Sequence, residues 1–307
     1  MRAELPTVSI LCTLLLLPTL HWQWRTRDVA ILSTITWLLA CNLIHVINSI
    51  VWADNVVPRV PVWCDLTTKI LLGAPVAIAG ACLCICQRLE FIASMRELAC
   101  NGNRKRRRTI MEFALCIVIP FVYMAFHTLV QNHRFDIIED FGCEAAIYAS
   151  APAVILVWLP PILICITSLV YSILVLIHAY SLHSGFSRHI ANRSRFTQST
   201  FTRLLSMSML QTFLLTWFFL TTLVLSAFRP WTSFKQVHSQ MSTIAVAAES
   251  DLSVQEHIRV ELVFWIIPVL SVIVFVFGVM GERAQQSIKS VVKDIRIRSR
   301  SLSLPIQ

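Results

Sequence analysis

"IMEFALCIVIPFVYMAFHTLV" at 110–130 runs without a break into "QNHRFDIIEDFGC" at 131–143. The first piece has the length that a hydrocarbon core of about 30 Å demands of a helix rising 1.5 Å per residue. The second is polar and ends in a cysteine, and a further apolar window follows it at 149–179. A water-loving loop held between two membrane-length windows reads as one connection of a multi-span protein.

The rest of the chain agrees. Of 307 residues, 56% are hydrophobic and 14% charged, and mean hydropathy is +0.68, which excludes ordinary soluble globular domains. Seven windows reach spanning length: Leu5–Trp24, Val29–Val51, Leu66–Cys86, Ile110–Val130, Ala149–Ala179, Leu204–Phe228 and Val260–Met280. The first carries Pro18. The fifth is overlong, and Pro160-Pro161 predicts a kink there, because proline lacks an amide hydrogen and its ring meets the carbonyl four residues back. No ten-residue alternation suggests a β-barrel. The expected fold is an all-α seven-helix membrane bundle over 1–281, with a short tail at 282–307. The start of the chain reads as a first span rather than a cleaved signal, since Arg25 and Arg27 follow the apolar run.

Lysine and arginine set the polarity. Connections after the first, third and fifth spans and the tail hold 2, 7, 4 and 6 of them, against six on the opposite side and Lys69 within a window. The basic side is therefore expected in the cytoplasm, with the N-terminus outside. The same distribution accounts for a net charge of +9. It is spread over every inner connection and suits anionic lipid at roughly 1 kcal/mol per basic residue near the surface, rather than forming a nucleic-acid-binding face.

Of ten cysteines, seven fall inside windows and Cys100 lies on the basic side, which leaves Cys64 and Cys143 on the outer side. Two thiols in an oxidising compartment are expected to form a disulfide. Chain-entropy arithmetic values such a closure at about 4–5 kcal/mol. Cys82, Cys84 and Cys86 alternate and so point apart on a helix; packing is their reading.

Several stretches together resemble one family: "RDVAILSTITWLLACNLIHVINSIVW" (27–52), "WCDLTTKILLGAPVAIAGACLCICQRLEFIASMR" (63–96), "RFDIIEDFGC" (134–143), "FTRLLSMSM" (201–209) and "FVFGVMGERA" (275–284). In combination they are similar to the fungal a-factor-type pheromone receptors, class D G-protein-coupled receptors, and particularly to the mating-type receptors of basidiomycetes. The resemblance implies a plasma-membrane receptor, not an enzyme, for a C-terminally farnesylated peptide pheromone. Its implied partners are a heterotrimeric G protein and the lipid bilayer, with a homodimer left open and no cofactor, metal or nucleic acid. The approach to the outer loop at Gln131–Arg134 matches the family only in part. Many relatives carry long polar tails where about 25 residues stand here, so tail-based desensitisation is not expected.

Polar groups inside spans are costly, about 2.5–3.5 kcal/mol for an ionised one at mid-helix, and mark candidate sites. Asn42, His45 and Asn48 recur every third residue on one face of the second span. They read either as a ligand-facing patch or as interhelical hydrogen bonding. Lys69 reads as a ligand contact or a snorkelling cation. Glu256, His257 and Glu261 gather before or within the seventh span and suit a cationic part of a peptide or a solvated helix start. Trp63 and Trp265 offer flat apolar surface for a prenyl chain, though aromatic belts place tryptophans there too. Arg134 and Glu139 are carried by the outer-loop motif. His127 and His178, near span ends, read as interfacial.

On the basic side, Arg104, Lys105, Arg106, Arg107 and Arg108 form the densest charge run and Arg203 opens the sixth span; these are the candidates for G-protein coupling. "NRS" at 192–194 is a glycosylation sequon that would face the cytoplasm unused. Ile288, Val291, Val292 and Ile295 opposite Lys289, Lys293, Arg296 and Arg300 predict a basic amphipathic helix lying in the interface. Ser299, Ser301 and Ser303 beyond it are phosphorylatable.

Other membrane functions fit less well. A transporter should show repeated halves, an intramembrane protease paired catalytic groups at depth, and a retinal protein a lysine in the last span. None of these patterns is present. A transporter or a seven-helix protein of non-receptor function is the alternative to the receptor.

Overall fold

The structure is a computed structural model and describes residues 2–24, 28–94, 102–181 and 198–280. Among these, seven helices are long and apolar enough to cross a membrane: α1 (Glu4–Gln23), α2 (Val29–Val51), α3 (Pro61–Ala93), α4 (Arg106–Val130), α5 (Ala151–Tyr180), α6 (Gln198–Val224) and α7 (Val254–Gly278). The amphipathic tail, Cys100, the sequon at 192–194 and the boundary at 281 lie outside the described residues.

Several helices exceed their apolar windows, and for two of them local chemistry says why. α3 starts at Pro61, whose fixed φ suits a first turn. It continues past Cys86 because Arg88 and Glu90 at its far end face Asp28 and His178. α7 begins six residues before its window because Ser253 and Glu256 form a reciprocal capping box.

α3 is the central helix, the most buried of the seven. Its run "GAPVAIAGAC" at 73–82 is almost all small side chains, which let neighbouring backbones approach closely in a lipid environment. A Cβ on Gly80 would stand 2.5 Å from the Leu115 carbonyl oxygen. Leu11, Leu14, Phe121 and Phe213 stay exposed on the lipid side, while polar groups turn inward. Asn42 donates to Ser271 Oγ at 2.8 Å, and Cys86 Sγ lies 3.1 Å from Ser172 Oγ and 3.3 Å from Ser208 Oγ. Cys86 of α3 thus serves contacts with α5 and α6.

The prolines of α4 and α5 do not break their helices. A widened π turn precedes each: Ala114–Val118 before Pro120, and Val154–Trp158 before Pro160-Pro161. Widening moves aside the carbonyl that the proline ring would strike.

The bundle is not wholly helical, a correction to the all-α expectation. The connection from α4 to α5 forms β1 (His133–Ile138) and β2 (Gly142–Glu144), and that from α6 to α7 supplies β3 (Gln240–Ala247). The sheet order is β2-β1-β3, with β1 antiparallel to β2 and parallel to β3. "RFDII" and "STIAV" have the β-branched, alternating character of strands. A spanning-length window cannot see runs this short.

Candidate functional site

The hairpin of β1 and β2 is fastened over one end of the bundle. Cys64, in the first turn of α3, is disulfide-bonded to Cys143 in β2, as the cysteine count predicted. Trp52, Cys64, Phe135, Ile137 and Cys143 pack as one buried cluster beneath it. At the hairpin tip Gly142 has φ +82°, a conformation costly for any residue with a Cβ. Its bare backbone sits against Asn48 and Trp52 of the α2 end. Asp140 accepts from the backbone N–H of Arg2 at 3.1 Å and of Asp54 at 3.0 Å, so the tip also gathers the start of the chain and the α2–α3 loop.

Beneath and beside the hairpin lies a cavity of about 360 Å³, within the roughly 300–1,000 Å³ of ligand pockets. It has two zones. The deep zone is apolar and aromatic, formed by Leu72, Tyr123, Trp158, Phe218, Phe219 and Phe264. Tyr123 and Trp158 spend their polar atoms on Val157 O at 3.0 Å and Thr222 Oγ1 at 3.3 Å, which presents only ring surface. The mouth is charged, with Asp136, Glu144, Glu256, Arg229 and Arg259 in its lining. Arg259 Nη1 lies 3.4 Å from Glu144 Oε1, and His133 pairs with Asp136. Burial pushes the Glu144 carboxyl above the usual carboxylate range; Arg259 pulls it back, and Asp136 and Glu256 add to the rise.

Of the residues singled out from sequence, His45, Cys143 and Glu256 line this cavity. His45 is 4% exposed, stands edge-on to Phe264 with centroids 4.5 Å apart, and its Nε2 has no hydrogen-bond partner. The others hold the same end together. Asn42 bonds α7, as above, and Asn48 accepts from Trp63 Nε1 at 2.9 Å. Lys69 is half-buried and does not line the cavity. It donates to Gln131 Oε1 at 2.8 Å and lies 2.7 Å from His127 Nδ1, while His127 Nε2 meets Ala146 O at 3.0 Å. His127 is thus buried, not interfacial. Arg134 grips Asp65 with two nitrogens. Glu139 accepts from the Glu249 N–H at 3.0 Å. Glu261 binds Arg2 and accepts from Trp265 Nε1 at 2.7 Å, and His257 Nε2 lies 3.2 Å from Glu249.

Sequence reasoning missed the aromatic lining, because a phenylalanine facing a cavity and one facing lipid look alike in a span. It also missed Glu144, whose signal was available: a carboxylate directly after the disulfide cysteine. At the opposite end, Arg106, Arg107 and Arg108 are exposed in the first turn of α4. Arg104 and Lys105 belong to the same helical rod, Gly102–Phe113. Arg203 Nη1 donates to Gly278 O at 3.4 Å, joining α6 to α7. The sequence reading also passed over an ion pair, Arg88 with Asp28, both nearly buried.

Comparison with known proteins converges on one family. The pheromone A receptor family model matches residues 4–298. Over 252 residues, 80% of this chain and 46% of the relative, the chain is 41% identical to the pheromone B beta 1 receptor of Schizophyllum commune. It is 29% identical over 293 residues to the pheromone B alpha 3 receptor of that species, covering 92% of this chain and 46% of the relative. Against the pheromone a factor receptor of Saccharomyces cerevisiae it is 26% identical over 140 residues, 45% of this chain and 30% of the relative. The chain thus spans about half the length of the Schizophyllum relatives it matches. No solved structure matches. With a family model running through all seven helices and a relative above 40% identity, the chain belongs to the pheromone A receptor family.

Proposed function

We propose that this chain is a plasma-membrane receptor that senses a farnesylated mating pheromone and activates a heterotrimeric G protein. The observation that carries the reading is the two-zone cavity: an aromatic chamber that takes an isoprenoid, opening to a charged mouth that takes peptide. Family membership supports it, since this is a family of receptors rather than of enzymes. The surplus of basic residues at the other end supports a polarity with the sheet and cavity outside the cell and the C-terminal side inside. The disulfide at the sheet end agrees with an oxidising exterior.

In this reading His45 and Glu256 touch ligand directly. Asn42, Asn48, Trp63, Lys69, Arg134, Glu139, His257, Glu261 and Trp265 hold the helices and loops that shape the cavity. Ligand acts by favouring one of two bundle arrangements, because equal affinity for both shifts nothing. The π turns in α4 and α5 are places where such a rearrangement is absorbed. Arg203 and the basic run at 104–108 form the face toward the G protein.

The test is expression in yeast lacking its own pheromone receptors, with a mating reporter and a panel of farnesylated peptides beside their unfarnesylated counterparts. Each buried carbon of the prenyl chain contributes about 0.8 kcal/mol, so unfarnesylated peptides should be weaker by several orders of magnitude. A response to neither class, with the protein shown at the surface, would refute the reading.

A further inference from the structure

The mouth of the cavity is built in a way that fold stability alone does not ask for. Asp136 in β1 and Glu144 in β2 are direct cross-strand partners, so their side chains leave the sheet on one face. Like charges opposite one another destabilise a sheet. Both residues line the cavity, and Glu256 of α7 brings a third carboxylate to the same wall. Compensation is incomplete. Arg259 reaches Glu144 through one oxygen, while Glu144 Oε2 is buried and accepts no hydrogen bond. Glu256 accepts from Ser253 through Oε2, in the capping box. Arg229, the other arginine of the lining, is exposed at the rim. Asp136 pairs with His133 of its own strand, and the lining as a whole carries three carboxylates against two guanidiniums. A second unsatisfied polar group, His45 Nε2, lies in the same cavity, 4% exposed and without a partner.

A buried carboxylate oxygen with no donor is costly to leave so, and it is held rigidly. Its residue follows Cys143, which the disulfide ties to α3. We propose that Glu144, with Asp136 and Glu256 beside it, is a specificity determinant that reads a cationic group on the peptide next to the lipid anchor. The cation seats between the three carboxylates as the isoprenoid fills the aromatic chamber below. Arg259 acts as the resident counter-ion of the empty site. This rests on the reading of the cavity as the lipopeptide site and adds the chemistry of the peptide residue that it selects.

Two small probes decide it: N-acetyl-lysyl-(S-farnesyl)cysteine methyl ester and its N-acetyl-norleucyl analogue, which differ only in the side-chain ammonium. Each is titrated calorimetrically into the full chain in lipid nanodiscs, with empty nanodiscs as reference. The lysyl probe should bind about tenfold more tightly, as a charge-assisted hydrogen bond provides. Glu144→Gln should abolish that preference, whereas Arg259→Gln, which breaks the same ion pair, should keep or increase it. A wild-type protein that binds both probes equally overturns the proposal, as does a preference that survives Glu144→Gln. Should Glu144→Gln fail to fold, Glu256→Gln decides: its preference should fall severalfold, and an unchanged one overturns the proposal. Failure of both probes to exceed the empty nanodiscs removes the lipopeptide reading itself.

Discussion

Gly142→Ala is the sharpest perturbation of the hairpin, because two independent costs meet at one atom. The residue has φ +82°, where an added Cβ costs roughly 1–2 kcal/mol through contact with the backbone. That Cβ would also lie 2.6 Å from Asn48 Cβ, 2.9 Å from Asn48 Cγ and 3.0 Å from Trp52 Cε3. Neither neighbour can step aside: Asn48 is tied to Trp63, and Trp52 is fully buried with its Nε1 on Val57 O at 3.1 Å. Overpacking of this kind costs about 1–3 kcal/mol. The two together give a loss of about 2–5 kcal/mol, expressed as displacement of the hairpin and, with it, of Cys143 and Glu144. Thermal unfolding of the purified protein in nanodiscs measures the loss. Asn48→Ala should not rescue it, since alanine keeps the Cβ that makes the closest contact. Gly142→Ala within 0.5 kcal/mol of wild type (about the scatter of ordinary surface substitutions) would refute the argument.

Other outcomes follow from the same coordinates. Gly80→Ala should be severe and Gly73→Ala mild, because the first meets the Leu115 carbonyl at 2.5 Å and the second the flexible end of Met124 at 2.7 Å; unfolding midpoints of the two variants test the order. Mass spectrometry should find Cys64 and Cys143 resistant to alkylation until reductant is added, and alkylation beforehand would reject the bridge. For Glu144, burial raises the folded-state pKa above the unfolded one, with Asp136 and Glu256 adding to the rise and Arg259 opposing it. The folded state then holds the extra proton between the two values, so stability falls as pH rises through that window. Relative to Glu144→Gln, the wild-type protein should gain stability on acidification from above the folded pKa toward the ordinary carboxylate range. A parallel pH dependence of the two midpoints would reject the shift. Arg203→Ala should weaken G-protein activation in the yeast reporter while sparing peptide binding, and equal loss of both would reject its coupling role.

Much of this protein was legible before any coordinates. Hydropathy placed seven helices because a bilayer demands about 20 apolar residues of every span whatever its neighbours do. The cysteine count found the disulfide because the expected topology left only two thiols outside the spans and off the basic side. The alternating residues of the two outer connections were there to be read, but short strands pair over long sequence separations, here β1 with β3, and nothing local names the partner.

The site was decided by packing. Asn42, His45 and Asn48 share a helical face, as their spacing required, yet they part company in space: the first turns to Ser271, the last to Trp63, and only His45 reaches the cavity. Lys69 looked like a group seeking ligand or water, and folding gave it His127 and Gln131 as partners while leaving it half-exposed. Apolar periodicity can tell that a residue avoids water but not whether it meets lipid, protein or an empty chamber, since all three are equally apolar. That distinction, and the meeting of Asp136, Glu144, Glu256 and Arg259 from separate strands and a helix, exists only once the chain is folded.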